Sequence, residues 1–362
     1  MKKDHDIYQI FKIACLYIST IIGAGFASGR EILTYFTTYG LWGYVGIVFS
    51  AIIIGLIGAM ILLCVKKFQS NDLDTLLLNV AGKIPGRILF ALITIFLFFF
   101  YSIMIAGIAK LVTEKIDLNW ALVSIVVALL TVIIVMLGVD KLAVICTFLA
   151  PLLAISISIC AIFSLTIASE ETFYLNTDII SKLYFLIPNN WIFSSIVYAG
   201  YNCLISTSVL SKALPMIKSR KIAIYGGILG GAGIGFLALI VNTSLYFNFT
   251  LINTKEMPLA YIVMGMGAIG GNLFPVLLII AMLLASISAL LGLTGAIEKI
   301  TKINGKIISI SAAILAVPLS LIGFSSLMDN IYPIFSYAGI FLALMLIMQI
   351  RKKCKKQTLM VK

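Results

Sequence analysis

Three glycines and two charged residues stand close together in the first long apolar segment of the chain. The run Gly23-Ala24-Gly25-Phe26-Ala27-Ser28-Gly29 is followed directly by Arg30 and Glu31. A glycine inside a helix costs about 1 kcal/mol relative to alanine, so the run predicts a break in that helix. In a bilayer, broken backbone is tolerated only where protein buries it or water reaches it. The freed N–H and C=O groups could then bind a substrate, as they do in secondary transporters.

The free N–H groups at such a break suit an anionic group. The backbone N–H groups of Gly23, Ala24 and Gly25 would stand at the positive end of the following half-helix, which predicts a substrate carboxylate there. The alternative is a glycine-lined packing surface, because small residues let membrane helices approach closely.

The composition is that of a membrane protein. Of the 362 residues, 62% are hydrophobic and only 11% are charged, whereas soluble domains carry about 25% charged residues. A spanning helix needs about 20 mostly apolar residues. We therefore predict an all-α polytopic protein in a lipid bilayer, with ten transmembrane helices over 8–37, 42–65, 88–112, 119–138, 142–168, 190–216, 222–248, 271–297, 304–323 and 328–350.

The basic residues predict the orientation of these segments. Most of the 26 Lys and Arg residues fall on the side of the N-terminus, and cytoplasmic loops carry the excess of positive charge. We expect a multi-pass protein of the bacterial inner (cell) membrane, with both termini cytoplasmic. The same distribution explains the net charge of +12 and argues against nucleic acid as a partner.

The sixth segment repeats a feature of the first. Its triplet Ala199-Gly200-Tyr201 parallels Ala24-Gly25-Phe26, and each triplet lies near the middle of the first helix of a five-helix half. Matching interruptions in two inverted halves indicate a transport site. We predict one transmembrane domain over 1–362, made of two inverted repeats at 8–168 and 190–350, with helices 1 and 6 broken at mid-membrane.

The sixth segment also supplies polar groups for a substrate. Unwound carbonyls at Tyr198, Ala199 and Gly200 could accept hydrogen bonds from an ammonium group, while Tyr198 and Tyr201 could cap the site. Tyr101 in the third segment could add a hydroxyl. Ordinary aromatic packing is the alternative for each tyrosine.

Two stretches resemble a known transporter superfamily. Ile22-Gly23-Ala24-Gly25-Phe26 resembles the glycine signature in the first helix of the amino acid–polyamine–organocation superfamily, and 198–202 resembles its sixth-helix motif. The longer run through Glu31 resembles the YkvI-like branch of bacterial permeases. The resemblance implies a LeuT-type fold, with Asn202 standing where many relatives carry an acidic residue.

The resemblance also implies an outer gate and a coupling-ion site. Arg30 would pair with Asp329 at the start of the tenth helix, with Glu31 as a competing partner and interfacial snorkelling as the alternative. A sodium site would use carbonyls near Ile22 together with helix 8, where Ala285 and Ser288 keep the carbonyl-to-hydroxyl spacing. A proton pathway through Glu31 is equally open, and no other cofactor is expected.

Signals of enzyme chemistry are missing from the sequence. The single histidine, His5, lies in the N-terminal tail, and no paired carboxylates, metal motif or phosphate loop occur. The sequence predicts a secondary active transporter of a small amino acid or related zwitterion or amine, working by alternating access. The alternative is a non-transporting ligand sensor on the same scaffold, similar to spore-germination permease-like receptor subunits. We expect no metal site and no obligate protein partner.

Overall fold

The protein is helical throughout the part of the chain that the structure describes. The structure is a computed structural model, and it describes the backbone of residues 2–137, 142–166, 190–252, 254–265 and 267–359. The first eight helices are α1 (Lys2–Ile21), α2 (Ala24–Ala27), α3 (Arg30–Tyr35), α4 (Leu41–Phe68), α5 (Leu73–Ala81), α6 (Lys83–Lys115), α7 (Trp120–Met136) and α8 (Leu142–Phe163). The next seven are α9 (Trp191–Leu210), α10 (Arg220–Phe247), α11 (Phe249–Ile252), α12 (Pro258–Met264), α13 (Gly267–Thr301), α14 (Gly305–Ser320) and α15 (Phe324–Leu359).

Several of these helices are suited to cross a membrane. Among the described residues, six are long and apolar enough, namely α4, α6, α9, α10, α13 and α15, and three shorter apolar helices accompany them. The chain is therefore a multi-pass helical membrane protein. The helices fall on the ten predicted segments, but the span count and the inverted repeats stay predictions. The predicted boundary between the halves, at 168–190, lies almost wholly outside the described residues.

The first segment is broken, as its glycine run predicts. Helix α1 ends at Ile21, and the Gly23 N–H turns back to the Ile21 carbonyl at 2.7 Å. A single turn of helix follows, and Gly29 then adopts a left-handed conformation with φ of 82°. Glycine reaches this conformation without steric cost, so a second break separates α2 from α3.

A neighbouring helix satisfies the freed backbone. The carbonyl of Ser28 accepts a hydrogen bond from the Leu259 N–H at 2.8 Å, at the start of α12. The close approach depends on Gly29, because a Cβ there would lie 2.9 Å from the Leu259 Cβ. The short helix α12 is thus docked against the break in the first segment.

The predicted break in the sixth segment is wrong. Helix α9 runs without interruption through Tyr198, Ala199 and Gly200. The reason is packing: a Cβ on Gly200 would lie 3.1 Å from the carbonyl carbon of Ser336 on α15. Gly200 faces Gly339 of α15 at similarly close range. Small residues here serve close helix contact rather than an opening of the helix.

The broken first segment is held by the helices beside it. The Tyr17 hydroxyl of α1 donates to the Ile54 carbonyl of α4 at 2.7 Å. Helix α10 packs against both α1 and α4, and Gly231 of α10 lies against the backbone of Gly55 of α4. These contacts fix α1 on one side of the break.

Candidate functional site

A buried carboxyl group stands at the centre of the broken segment. Glu31 is only 3% exposed, and its Oε2 accepts a hydrogen bond from the Tyr201 hydroxyl of α9 at 2.6 Å. A Cβ on Gly25 would lie 2.7 Å from the Glu31 Cγ and 2.7 Å from the Met328 Sδ of α15. The bare backbone of Gly25 therefore makes room for the Glu31 side chain.

Four tyrosines from three helices surround this carboxyl group. Tyr201 stacks on Tyr332 of α15 with ring centroids 4.5 Å apart. Tyr35 of α3 lies 5.8 Å from Tyr201 and 5.5 Å from Tyr198. Each of these tyrosines interacts electrostatically with Glu31. We call Glu31 with these four residues the tyrosine cage.

Three hydroxyls of the tyrosine cage are unused. Those of Tyr35, Tyr198 and Tyr332 are buried, and none of them has a hydrogen-bond partner among the described residues. Buried polar groups are normally hydrogen-bonded, and each exception needs an explanation. The cage therefore holds hydroxyl groups that are available to a ligand.

The Glu31 carboxyl group forms no ion pair with a basic side chain in the described part of the chain. An ionised carboxylate buried in apolar surroundings is costly unless it is paired. Glu31 must therefore hold a proton or face a bound cation.

Arg30, the residue before Glu31, contacts a different set of residues. Its guanidinium forms an ion pair with Asp329, in which Nε donates to Oδ1 at 3.3 Å and Nη2 contacts Oδ2. Its Nη1 donates to the Lys255 carbonyl at 3.2 Å. The structure brings together the two residues expected to form a gate, while the gating role itself stays a prediction. We call this side of the helix bundle the Asp329 end.

Further ionic contacts lie at the Asp329 end. The Lys110 Nζ of α6 lies 3.0 Å from Glu256 and 3.3 Å from Glu114. Glu256 also accepts a hydrogen bond from the Ser325 N–H of α15 at 3.5 Å. These contacts join α6, the segment before α12 and the start of α15.

A second ionic network lies at the opposite end of the helices. The Lys299 Nζ of α13 lies 3.1 Å from both Asp72 and Asp74. Asp72 also caps α5, accepting from the Thr75 N–H at 2.8 Å. Burial acts to raise the pKa of Asp72, but the hydrogen bonds from Thr75 and Lys299 outweigh it and lower the pKa. We call this side the Asp72 end.

The structure places Tyr101 outside the cage. Its hydroxyl shares a hydrogen bond of 2.7 Å with Thr131 of α7 and is buried. The packing alternative accounts for this residue, because its hydroxyl is already satisfied between α6 and α7.

The remaining substrate candidates lie along the two central segments. Gly23 and Ala24 form the turn into α2, next to Ile22, which is 5% exposed. The Asn202 Nδ2 donates to the Tyr198 carbonyl at 2.9 Å, within the continuous helix α9. This carbonyl and those of Ala199 and Gly200 are not unwound, so the ammonium site predicted at these carbonyls is wrong.

The sodium candidates of the eighth predicted segment lie on α13. Ser288 is exposed on α13 and Ala285 is half-buried, whereas the neighbouring Ser286 is buried and donates to the Leu283 carbonyl at 2.6 Å. Successive helical residues are rotated by about 100°, so packing of the Ser286 face turns Ser288 outward. Ser288 is therefore not part of the packed interior, and the sodium site stays a prediction.

Sequence reasoning missed two members of the cage and the methionine beside it. Tyr35 lies four residues after Glu31, and Tyr332 lies four residues after Met328 and three after Asp329. Residues three or four apart share a helix face. This spacing was a usable signal for Tyr35, but it did not reveal that α3 and α15 meet.

Comparison with known proteins gives relatives over most of the chain. No protein-family profile matches it. It is 25% identical over 332 residues to the uncharacterized membrane protein YkvI of Bacillus subtilis (strain 168), covering 91% of this chain and 92% of YkvI. It is 24% identical over 334 residues to the uncharacterized protein YyaD of the same organism, covering 92% and 94%.

Solved transporter structures share the fold. A Na+-coupled sialic acid symporter in a substrate-bound outward-open state superposes with a TM-score of 0.62 at 11% identity, covering 93% of this chain and 78% of the symporter. A variant of the manganese transporter of Eremococcus coleocola gives 0.58 at 14% identity, covering 95% and 77%. At these identities the likeness shows the fold alone.

Proposed function

We propose that this protein is a secondary active transporter that moves a small amino acid, or a related zwitterion or amine, by alternating access. The observation that carries the proposal is the double break of the first segment. It places Glu31 against Gly25 and Tyr201, beside the Arg30–Asp329 pair. We further propose two inverted five-helix halves in the bacterial inner membrane, with both termini cytoplasmic.

The two ionic networks fit such a cycle. Arg30 and Asp329 join α3 to α15 at one end, and Lys299 joins α13 to α5 at the other. Both networks are formed in this structure, and in this proposal each of them closes one end of the transport path. Transport would require each network to open in turn while the other stays closed.

Glu31 is the coupling residue in this proposal. It is buried without a counter-ion among the described residues, which suits a group that gains and loses a proton during the cycle. The sodium alternative has less support, since Ser288, its hydroxyl ligand, is exposed. The backbone N–H groups of Ala24 and Gly25 remain our candidate contacts for a substrate carboxylate.

Uptake into proteoliposomes tests this function. Radiolabelled amino acids and primary amines would be offered one at a time, with an imposed proton gradient, an imposed sodium gradient or neither. We expect at least one compound to accumulate under the proton gradient in a Glu31-dependent manner. Binding of these compounds without any uptake would reject transport. Accumulation that follows only the sodium gradient would reject proton coupling.

A further inference from the structure

We propose that the tyrosine cage binds the ammonium group of the substrate, and that each bound ammonium displaces one proton from Glu31. This inference rests on the proposed function and names the substrate chemistry of its site. It concerns the positively charged end of the substrate, for which the sequence predicted the carbonyls of α9 instead.

The chemistry of the cage matches a primary ammonium ion. Such a group carries one positive charge and three N–H donors. Glu31 supplies the negative charge, and the unpartnered hydroxyl oxygens of Tyr35 and Tyr332 can accept two of the donors. The aromatic faces add attraction for a cation, an effect that strengthens when the site is desolvated.

An anion would find no comparable partner in the cage. Its members are one carboxyl group and four phenols, and the nearby Arg30 is engaged with Asp329 and the Lys255 carbonyl. In the described part of the chain, no group of three or more acidic, cysteine or histidine side chains is arranged to hold a metal ion. An organic cation is therefore the ligand class that the cage favours.

Proton release follows from the burial of Glu31. The empty site keeps its carboxyl group neutral, because no described cation balances a charge there. When an ammonium ion binds, the O–H bond of the Glu31 carboxyl group breaks, its proton passes to water, and the carboxylate left behind pairs with the ammonium ion. One positive charge thus enters the site as one proton leaves it. Tyr35, Tyr198, Tyr201 and Tyr332 are the other titratable groups that face Glu31, and the nearby charges Arg30 and Asp329 neutralise each other.

Helix α15 links this exchange to the Asp329 end. It carries Met328 against Gly25, Asp329 against Arg30 and Tyr332 against Tyr201. The 4.5 Å stacking of Tyr201 on Tyr332 leaves no space for an ammonium group between the rings. In this proposal a ligand that enters between the rings moves α15 outward, and the same movement separates Asp329 from Arg30.

The test is a proton-release titration of the full-length protein in detergent. Propylammonium chloride would be added at pH 7 in weak buffer containing a pH-indicator dye, with sodium chloride and sodium propionate as parallel titrants. We expect saturable release approaching one proton per protein with propylammonium alone. Apparent affinity should fall about tenfold for each unit that the pH is lowered while Glu31 is protonated.

Three variants assign the effect to the cage. Glu31→Gln keeps an oxygen to accept from Tyr201, and it should abolish proton release. Glu298→Gln, an exposed acid at the Asp72 end, is the matched control and should release as the wild type does. Tyr332→Phe removes an unpartnered buried hydroxyl, so the Tm should hold or rise, while propylammonium affinity drops by up to about tenfold.

Other outcomes would overturn the inference. Proton release of equal size by sodium chloride would assign the site to a coupling ion instead. Unchanged affinity in Tyr332→Phe, or undiminished release in Glu31→Gln, would remove the cage from ligand binding. The titration needs no flux, so proton release without uptake in proteoliposomes would reject transport and leave the ammonium site standing. Uptake that persists in Glu31→Gln would reject the ammonium site and the coupling role of Glu31, and leave transport standing.

Discussion

Replacing Gly25 by alanine should disable the site without unfolding the protein. The new Cβ would lie 2.7 Å from both the Glu31 Cγ and the Met328 Sδ, on facing elements. Such overpacking costs about 1–3 kcal/mol, and better helix propensity returns up to about 1 kcal/mol. The obstructing atoms belong to side chains, so the expected response is rotation of Glu31 away from Tyr201. We therefore expect a net loss of about 1–2 kcal/mol of stability.

Ligand affinity should fall as well. A displaced Glu31 loses a charge-assisted contact worth about 1.5–3 kcal/mol, which corresponds to a loss of roughly ten- to a hundredfold in affinity. The assay is affinity for the substrate found by the uptake panel, measured on monodisperse protein together with the Tm. Gly295→Ala on α13 is the control, because its Cβ would meet nothing within 4 Å. If the two variants behave alike, Gly25 is a packing residue and the site assignment fails.

Three further predictions use other contacts. Asp329→Asn removes the negative charge that pairs with Arg30 and should lower the free energy of unfolding by about 3 kcal/mol; denaturant unfolding that matches the wild type would contradict this. Tyr101→Phe loses its bond to Thr131 and should cost about 1 kcal/mol with substrate affinity unchanged; a tenfold loss of affinity would return Tyr101 to the site. The pKa of Asp72 is lowered from 3.8, so its contribution to the stability of α5 is present above that pH and lost as the pH falls through the lowered value. Amide hydrogen exchange, corrected for the intrinsic exchange rate, should show α5 equally protected at pH 5 and pH 7 and less protected near pH 3. A loss of α5 protection between pH 7 and pH 5 would rule out protonation of Asp72 as the cause.

The sequence located the central break because its cause is local. The cost of helical glycine applies within the run Gly23–Gly29, whatever surrounds it. The contact of Arg30 with Asp329 was expected from the resemblance, and the structure brings the two residues together. The break could thus be identified from a short stretch of sequence, whereas the contact between two residues far apart in the chain came from the resemblance.

The errors arose where a distant partner decides the outcome. Gly200 lies in a triplet similar to that of Gly25 in the broken first segment, but the backbone of Ser336 and Gly339 makes it a contact point in a continuous helix. Helix geometry predicts that Ser286 and Ser288 point in different directions, but it does not predict which of the two side chains faces the interior of the protein. The cage likewise depends on α15 meeting α3 and α9, which no local pattern encodes.

Counterflow in proteoliposomes tests the central claim most directly. Vesicles loaded with excess unlabelled substrate would be diluted into a trace of labelled substrate, with no ion gradient imposed. A single site that is open alternately to each side predicts a transient accumulation of label above equilibrium, abolished by Glu31→Gln and retained in Glu298→Gln. Monotonic equilibration would indicate a channel, and binding without any entry of label would indicate a sensor; either result would contradict alternating access around Glu31.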